Sequence, residues 1–255
     1  MSVRAKKHLG QHFLNDKNIA EQIVNSLTWE NYHQVLEIGP GMGVLTQFLL
    51  EQKRNVSVVE IDRDSIAYLK EKYNGIKEVL PIYEEDFLKM DLTIKFEEAL
   101  AVVGNFPYNI SSQILFKVIE HKDMVPEVVG MFQKEVAERV AAPHGNKTYG
   151  VISVLIQAYY KVEYLFTVHE HVFTPPPKVK SGVIRLIRFR QDLKVNDKKF
   201  KQVVKAGFSQ RRKTLRNALK QLGIPESQKD HRFFSMRAEQ LSVEDFIELT
   251  KIMTG

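Results

Sequence analysis

The chain has 255 residues, 44% hydrophobic and 27% charged, as expected of a soluble globular protein with room for one large domain or two smaller ones. It contains no cysteine, which excludes disulfide scaffolds, cysteine-ligated zinc, iron–sulfur clusters and a cysteine nucleophile. The net charge of +6 is unevenly spread: residues 1–177 carry 18 basic and 23 acidic side chains, residues 178–255 carry 19 and 8. The whole basic excess lies in the last third, which suggests that one region faces an acidic polymer. The longest uncharged stretch, 99–116, holds Asn105, Pro107, Asn109 and Gln113 and cannot span a bilayer. No apolar run follows Arg4, Lys6 and Lys7, so no secretory signal is read there. The expectation is a cytoplasmic protein, monomeric by default, with no membrane partner.

In chain order, 35–38 is a short apolar run ending at Gly39, and Val44, Leu45, Phe48 and Leu49 then recur at helical spacing. Residues 55–61 read as a second strand, with Ile66, Leu69, Lys70 and Tyr73 marking a helix behind it. Residues 79–83 are a weaker third strand, and 99–103 a fourth, stopped by Gly104. Ile110, Ile114, Leu115, Val118 and Ile119 form one face of the next helix, and 128–132 is a fifth strand. Such β–α alternation predicts a parallel sheet with helices on both faces. Residues 162–168 and 182–189 are strands joined by a connection too short for a helical crossover, so they should be antiparallel neighbours. After Gln191 the pattern is helical and basic. We place one boundary near residue 192: an α/β domain over 1–192 and a small all-helical, basic domain over 193–255.

The first strand ends in Glu37-Ile38-Gly39-Pro40-Gly41-Met42-Gly43. Glycines at a strand-to-helix turn let the backbone approach a ligand closely. The G-x-G-x-G spacing, with an acidic residue two before the first glycine, resembles the class I S-adenosylmethionine-dependent methyltransferases, whose loop cradles the amino-acid part of the donor. Glu60 ends the second strand and can accept hydrogen bonds from both ribose hydroxyls, with Ile61 next to it. Asp86 follows the third strand and could accept from the donor's adenine amine, with Phe87 beside the ring.

The most specific feature is Asn105-Phe106-Pro107-Tyr108, at the end of the fourth strand. An adenine N6 is a poor nucleophile, because its lone pair is delocalised into the ring. Two acceptors on its hydrogens would draw it towards tetrahedral geometry and stabilise the charge that develops. Asn105 can supply a side-chain oxygen, Phe106 or Pro107 a backbone carbonyl, and Tyr108 an aromatic face. Neither a metal nor a covalent intermediate is required, and the eight histidines show no metal-ligand spacing.

Five stretches together resemble the ribosomal RNA adenine dimethyltransferases. They are 6–16 (KKHLGQHFLND), 37–43, 105–111, 173–181 (FTPPPKVKS) and 208–217 (FSQRRKTLRN). The similarity runs nearly the whole length in the family's motif order, and its last two motifs point to the small-subunit branch. The resemblance implies transfer of four methyl groups from S-adenosylmethionine to the N6 atoms of two adjacent adenosines, in a hairpin near the 3′ end of 16S rRNA. An assembling small ribosomal subunit would be the substrate. It also implies that residues 11–14 close over the donor, with His12 and Leu14 in contact. The family usually has asparagine where His12 stands and leucine where Phe106 stands. The bulkier Phe106 could narrow the target pocket at the second methylation.

Phe173, held by Pro175, Pro176 and Pro177, is the candidate for the other face of a flipped adenine. Arg211, Arg212, Lys213, Arg216 and Lys220 are read as one helical stretch whose apolar side is Phe208, Leu215 and Leu219, with the basic flank on RNA phosphates. Lys178, Lys180 and the arm residues Arg4, Lys6 and Lys7 could extend that track, the alternative for the arm being a tail disordered until ligand binds. Two other functions compete: methylation of large-subunit rRNA, and a binding protein in which methylation is idle. The extended basic C-terminal region argues against the first, and intact Glu60, Asp86 and Asn105 against the second.

Overall fold

The computed structural model describes residues 3–74 and 80–254. Its strands are β1 (Phe13–Leu14), β2 (Gln34–Ile38), β3 (Asn55–Val59), β4 (Ile82–Tyr83), β5 (Leu100–Asn105), β6 (Glu127–Gln133), β7 (Tyr160–Val168), β8 (Phe173–Thr174) and β9 (Ser181–Arg188). Its helices are α1 (Lys17–Asn25), α2 (Thr46–Glu51), α3 (Arg63–Lys72), α4 (Leu92–Lys95), α5 (Ser111–Glu120), α6 (Lys134–Ala141), α7 (Val151–Gln157), α8 (Asp197–Phe208), α9 (Leu215–Ala218) and α10 (Val243–Thr254). The predicted third strand starts at Val79, which lies outside the described residues; its described part pairs at Ile82–Tyr83.

Seven strands form one sheet in the order β4-β3-β2-β5-β6-β9-β7. β2 pairs in parallel with β3 and β5, β5 with β6, and β3 with β4; β9 runs antiparallel to β6. The central strands carry unbroken apolar runs, as strands covered on both faces must. Val35, Leu36 and Ile38 of β2 and 100–103 of β5 are all buried. Asp16, Asp62 and Asp91 each accept backbone N–H groups at the first turns of α1, α3 and α4, so these helices begin on a side-chain cap. The order reverses between β2 and β5, and open α/β sheets place ligands beyond the strand ends at such a reversal.

β1 and β8 form a separate two-stranded antiparallel ribbon, with Leu14 opposite Phe173 and Phe13 opposite Thr174. Two further bonds lengthen it: Asn15 N–H to the Val172 carbonyl at 2.8 Å, and Asn15 Nδ2 to Thr174 Oγ1 at 2.7 Å.

The chain divides into two compact units, Met1–Ala137 with Glu163–Arg188, and Glu138–Val162 with Phe189–Gly255. The single boundary read near residue 192 differs from this division. The second unit also takes in α7 and its flanks, because they share its core. Tyr149 packs edge-on to Phe208 at 6.0 Å between centroids, and Phe208 stacks on Phe246 at 5.7 Å. Gln157 Nε2 donates to the carbonyls of Val140 and Ala142.

The basic helix read across 211–220 is corrected too. α8 stops at Phe208, where Ser209 donates both its N–H and its hydroxyl to the Ala206 carbonyl. Leu215 N–H then goes to the Met236 carbonyl at 2.8 Å instead of to the preceding turn. Arg211, Arg212 and Lys213 therefore occupy a turn between α8 and α9. Phe208, Leu215 and Leu219 are buried as expected.

Candidate active site

A cavity of about 180 Å³ lies at the carboxyl ends of β2, β3 and β5. Its floor is the loop after β2. Gly41 there has φ +56°, and a Cβ on it would fall 2.8 Å from Phe13 Cε1, so both the backbone conformation and the space demand glycine. Gly39 N–H donates to the Val59 carbonyl at 2.9 Å, tying the loop to β3.

Glu60 lies just past β3 and is 5% exposed. Its carboxylate accepts the N–H groups of Ile61 at 2.8 Å, Asp62 at 2.9 Å and Gly41 at 3.2 Å. Burial nevertheless pushes its pKa above the ordinary carboxylate value, against those three bonds. Ile61, 53% exposed, offers apolar surface beside it. Asp86 also lines the cavity, its Oδ1 fixed by the Leu88 N–H at 2.9 Å. A nucleoside-bearing donor fits this wall. Hydroxyl donors would meet a buried carboxylate with spare lone pairs, and a flat base would meet Ile61 with Asp86 in reach.

Asn105 ends β5 at the cavity's far side. Its Nδ2 donates to the His12 carbonyl at 2.8 Å, which orients the amide and leaves Oδ1 as an acceptor. The Pro107 carbonyl already accepts Ile110 N–H at 3.2 Å; among the described residues no donor reaches the Phe106 carbonyl. Tyr108 shares a hydrogen with Ser181 Oγ, and its ring stacks on His12 at 5.3 Å between centroids. Burial raises the Tyr108 pKa, against that hydroxyl bond. His12 Nδ1 lies 2.7 Å from the Pro175 carbonyl, and a carbonyl only accepts, so the ring carries a proton on Nδ1.

Several predicted residues meet here and several do not. His12, Gly39, Gly41, Glu60, Ile61, Asp86, Asn105, Pro107 and Tyr108 all line the cavity. Leu14 and Phe173 do not. They pack side by side in the hydrophobic core, 4% and 2% exposed, because the β1–β8 ribbon turns both inward. Phe87 is also core, 3% exposed, and Leu88 takes the place beside the cavity. Phe106 also lines the cavity; the residue is 1% exposed, and its ring packs over Gly104 and Gly130 against Phe132.

The sequence reading missed Gln11 as a structural tie. Its Nε2 donates to Asp62 Oδ2 at 3.1 Å, while Lys6 pairs with Asp62 and Asp64. Lys6 is therefore committed to α3 rather than extending a basic track. The acidic Asp62-Arg63-Asp64 run was the available signal.

A second cavity of about 440 Å³ shares His12 and Tyr108 with the first and adds Lys7, Gln133 and Lys178. Lys178 and Lys180 are exposed. In the second unit Arg212, Lys213 and Lys220 are exposed, whereas Arg211 donates to the carbonyls of Lys147 and Tyr149, and Arg216 to that of Lys229.

A mixed seven-stranded sheet with one antiparallel strand, a glycine loop after its central strand and an acidic residue after the next, is the fold of a class I methyltransferase. The sequence model of a family described as ribosomal RNA adenine dimethylase matches residues 2–254, and the chain belongs to that family. It is 59% identical to ribosomal RNA small subunit methyltransferase A of Cytophaga hutchinsonii, over 99% of this chain and 98% of the relative. To the protein of that name in Flavobacterium johnsoniae it is 54% identical, over 98% and 95%. Among solved structures it is similar to a dimethyladenosine transferase from Plasmodium falciparum, with TM-score 0.81 and 28% identity over 93% of this chain and 96% of that one. The 23S rRNA methyltransferase ErmE shares the fold, with TM-score 0.73 over 95% and 100%.

Proposed function

We propose that this chain dimethylates the N6 atoms of two adjacent adenosines near the 3′ end of small-subunit rRNA, in the cytoplasm, on an assembling small subunit. S-adenosylmethionine would supply an activated methyl group. The observation that carries the reading is Asn105, whose Nδ2 is committed to the His12 carbonyl and whose Oδ1 is thereby kept as an acceptor beside the free Phe106 carbonyl. The names of the curated relatives and the family supply the substrate class.

In this reading Glu60 accepts the ribose hydroxyls of the donor, Asp86 its adenine amine, and the 39–43 loop lies along its amino-acid portion. Asn105 Oδ1 and the Phe106 carbonyl each accept one hydrogen of the target amine and pull its nitrogen out of conjugation. Their dipoles are fixed before the methyl moves, so they stabilise the positive charge without reorganising. Tyr108, backed by His12, supplies a face for the extruded base. Lys178 and Lys180 beside the second cavity, and Arg212, Lys213 and Lys220 in the second unit, would hold RNA phosphates.

The test uses small subunits from a strain lacking the modification. After incubation with the protein and S-adenosylmethionine, the rRNA is digested and its nucleosides weighed. Dimethyladenosine at two adjacent positions is expected. Product only on large-subunit rRNA would overturn the substrate, and tight subunit binding with no product would overturn the activity. Asn105→Ala should slow transfer at least about tenfold with subunit affinity nearly unchanged, because the hydrogen bond it removes belongs to the transition state. Equal loss of affinity and rate would remove Asn105 from that role.

A further inference from the structure

The two proposed acceptors work only if the segment after β5 is held still, and what holds it is a gap in the neighbouring strand. Gly104 of β5 and Gly130 of β6 stand directly opposite each other. Phe106 follows Gly104 by two residues and so lies on the same side of the sheet. Its ring fills the space above the glycine pair. A Cβ on Gly104 would fall 2.9 Å from Phe106 Cε1, and one on Gly130 only 2.1 Å from Cε2. Neither glycine has a positive φ, so space rather than backbone conformation excludes a side chain. Phe132 closes the ring in edge-on at 5.0 Å between centroids, and Phe106 N–H donates to the Met131 carbonyl at 3.2 Å. The ring is thus gripped by β6 while its own carbonyl stays free.

We propose that Gly130 is a positioning residue for methyl transfer: its missing side chain is the seat of the Phe106 ring, and through that ring it fixes the Phe106 carbonyl beside Asn105. The inference rests on the adenine-N6 reading of the site. A methyl group at Gly130 cannot coexist with the ring where it stands. β6 is held on both sides, by β5 and β9, so the ring gives way and carries 105–108 with it. A shift on the order of 1 Å in an acceptor costs rate far out of proportion to its size. Gly104 is a poorer probe, because a Cβ there would also strike the Ile38 carbonyl at 2.6 Å and disturb β2 directly.

The experiment compares the full chain with Gly130→Ala, Phe106→Leu and the double variant. Calorimetry with S-adenosylmethionine gives the donor Kd and the number of donor-binding sites. Single-turnover methylation of unmodified small subunits at saturation gives a rate per donor-binding site. Gly130→Ala should lose at least about tenfold in that rate while the donor Kd stays within about threefold. Shortening the ring makes room for the methyl, so Phe106→Leu in the Gly130→Ala background should restore at least about fivefold. A merely structural role would reduce the number of binding sites and leave the rate per site unchanged, and that result would overturn the proposal. So would a double variant no faster than Gly130→Ala. Should Gly130→Ala fail to fold, the double variant is compared with Phe106→Leu alone: equal rates support the seat, and a tenfold deficit overturns it. If the wild-type chain leaves the adenosines unmethylated, the functional reading fails before any variant is compared and takes this inference with it.

Discussion

Glu37 is 1% exposed beneath the glycine loop, and among the described residues its carboxyl accepts one hydrogen bond, from Thr46 Oγ1 at 2.5 Å. Burial pushes its carboxyl up to about 8, and the Thr46 bond and nearby Lys72 only partly offset this. A carboxyl whose folded pKa exceeds its unfolded one binds its proton more tightly in the folded state. Stability is then lost as the pH rises from the ordinary carboxylate range to about 8, at no more than about 1.4 kcal/mol per pH unit. Glu37→Gln keeps the shape and cannot ionise. Denaturant unfolding at pH 6 and pH 8 should show a smaller loss of stability in the variant than in the wild type. Parallel losses in both would mean that Glu37 is not the titrating group. Lys72, whose ammonium donates to the carbonyls of Met42 at 3.0 Å and Gly43 at 3.4 Å, links this carboxyl to the loop that it underlies.

The N-terminal arm behaves as an element although its only strand is two residues long. It is tied down by bonds of four kinds: Lys6 and Gln11 to Asp62, the β1–β8 ladder, His12 to Pro175, and Asn105 to the His12 carbonyl. Burial alone would raise the Asp62 pKa, but bonds from Lys6, Gln11 and Ser65 outweigh it and hold the carboxyl below its ordinary value. Bonding to Asp62 raises the Lys6 ammonium in turn. The clamp therefore persists through neutral pH and is lost only as the pH falls through the depressed Asp62 pKa or rises through the elevated Lys6 pKa. Asp62→Asn keeps a cap oxygen for α3 and removes the charge. Tryptic cleavage after Lys7 should be several-fold faster in the variant, with donor affinity weakened by roughly threefold to tenfold. Equal cleavage rates would show that the ladder alone holds the arm. Elements of this kind mark the limit of what the sequence discloses. The strands were legible because β-branched runs ended at Gly39 and Gly104, and the site was legible because its residues sit at those ends. Leu14, Phe87 and Phe173 were misplaced because an aromatic or aliphatic side chain at a strand end reads alike whether it faces ligand or core. A register pairing such as Leu14 opposite Phe173, far apart in the chain, decides which. The fit of Phe106 was hidden for the same reason, since its partner Gly130 lies on another strand.

At the scale of the whole molecule the charge asymmetry becomes an argument about which cations are available. A cation already spent on protein carbonyls contributes little to RNA phosphates. Arg211 is exposed by area but donates to the carbonyls of Lys147 and Tyr149, joining the two chain segments that make up the second unit. Arg212 and Lys213 form no ion pair or side-chain hydrogen bond among the described residues. Adjacent arginines should therefore give opposite phenotypes. Replacing Arg212 and Lys213 together with Ala should weaken binding to small subunits and lower the slope of log affinity against log salt by about 1.5, roughly 0.7 to 0.9 for each phosphate no longer neutralised. The melting temperature should hardly change. Arg211→Ala should leave the slope nearly unchanged and cost about 1–2 kcal/mol of stability, from two carbonyls deprived of a charged donor. Binding titrations at several salt concentrations, run beside thermal melts, separate the two effects. A flattened slope in Arg211→Ala with an unchanged slope in the double variant would reverse the assignment and place RNA against the carbonyl-bound arginine instead.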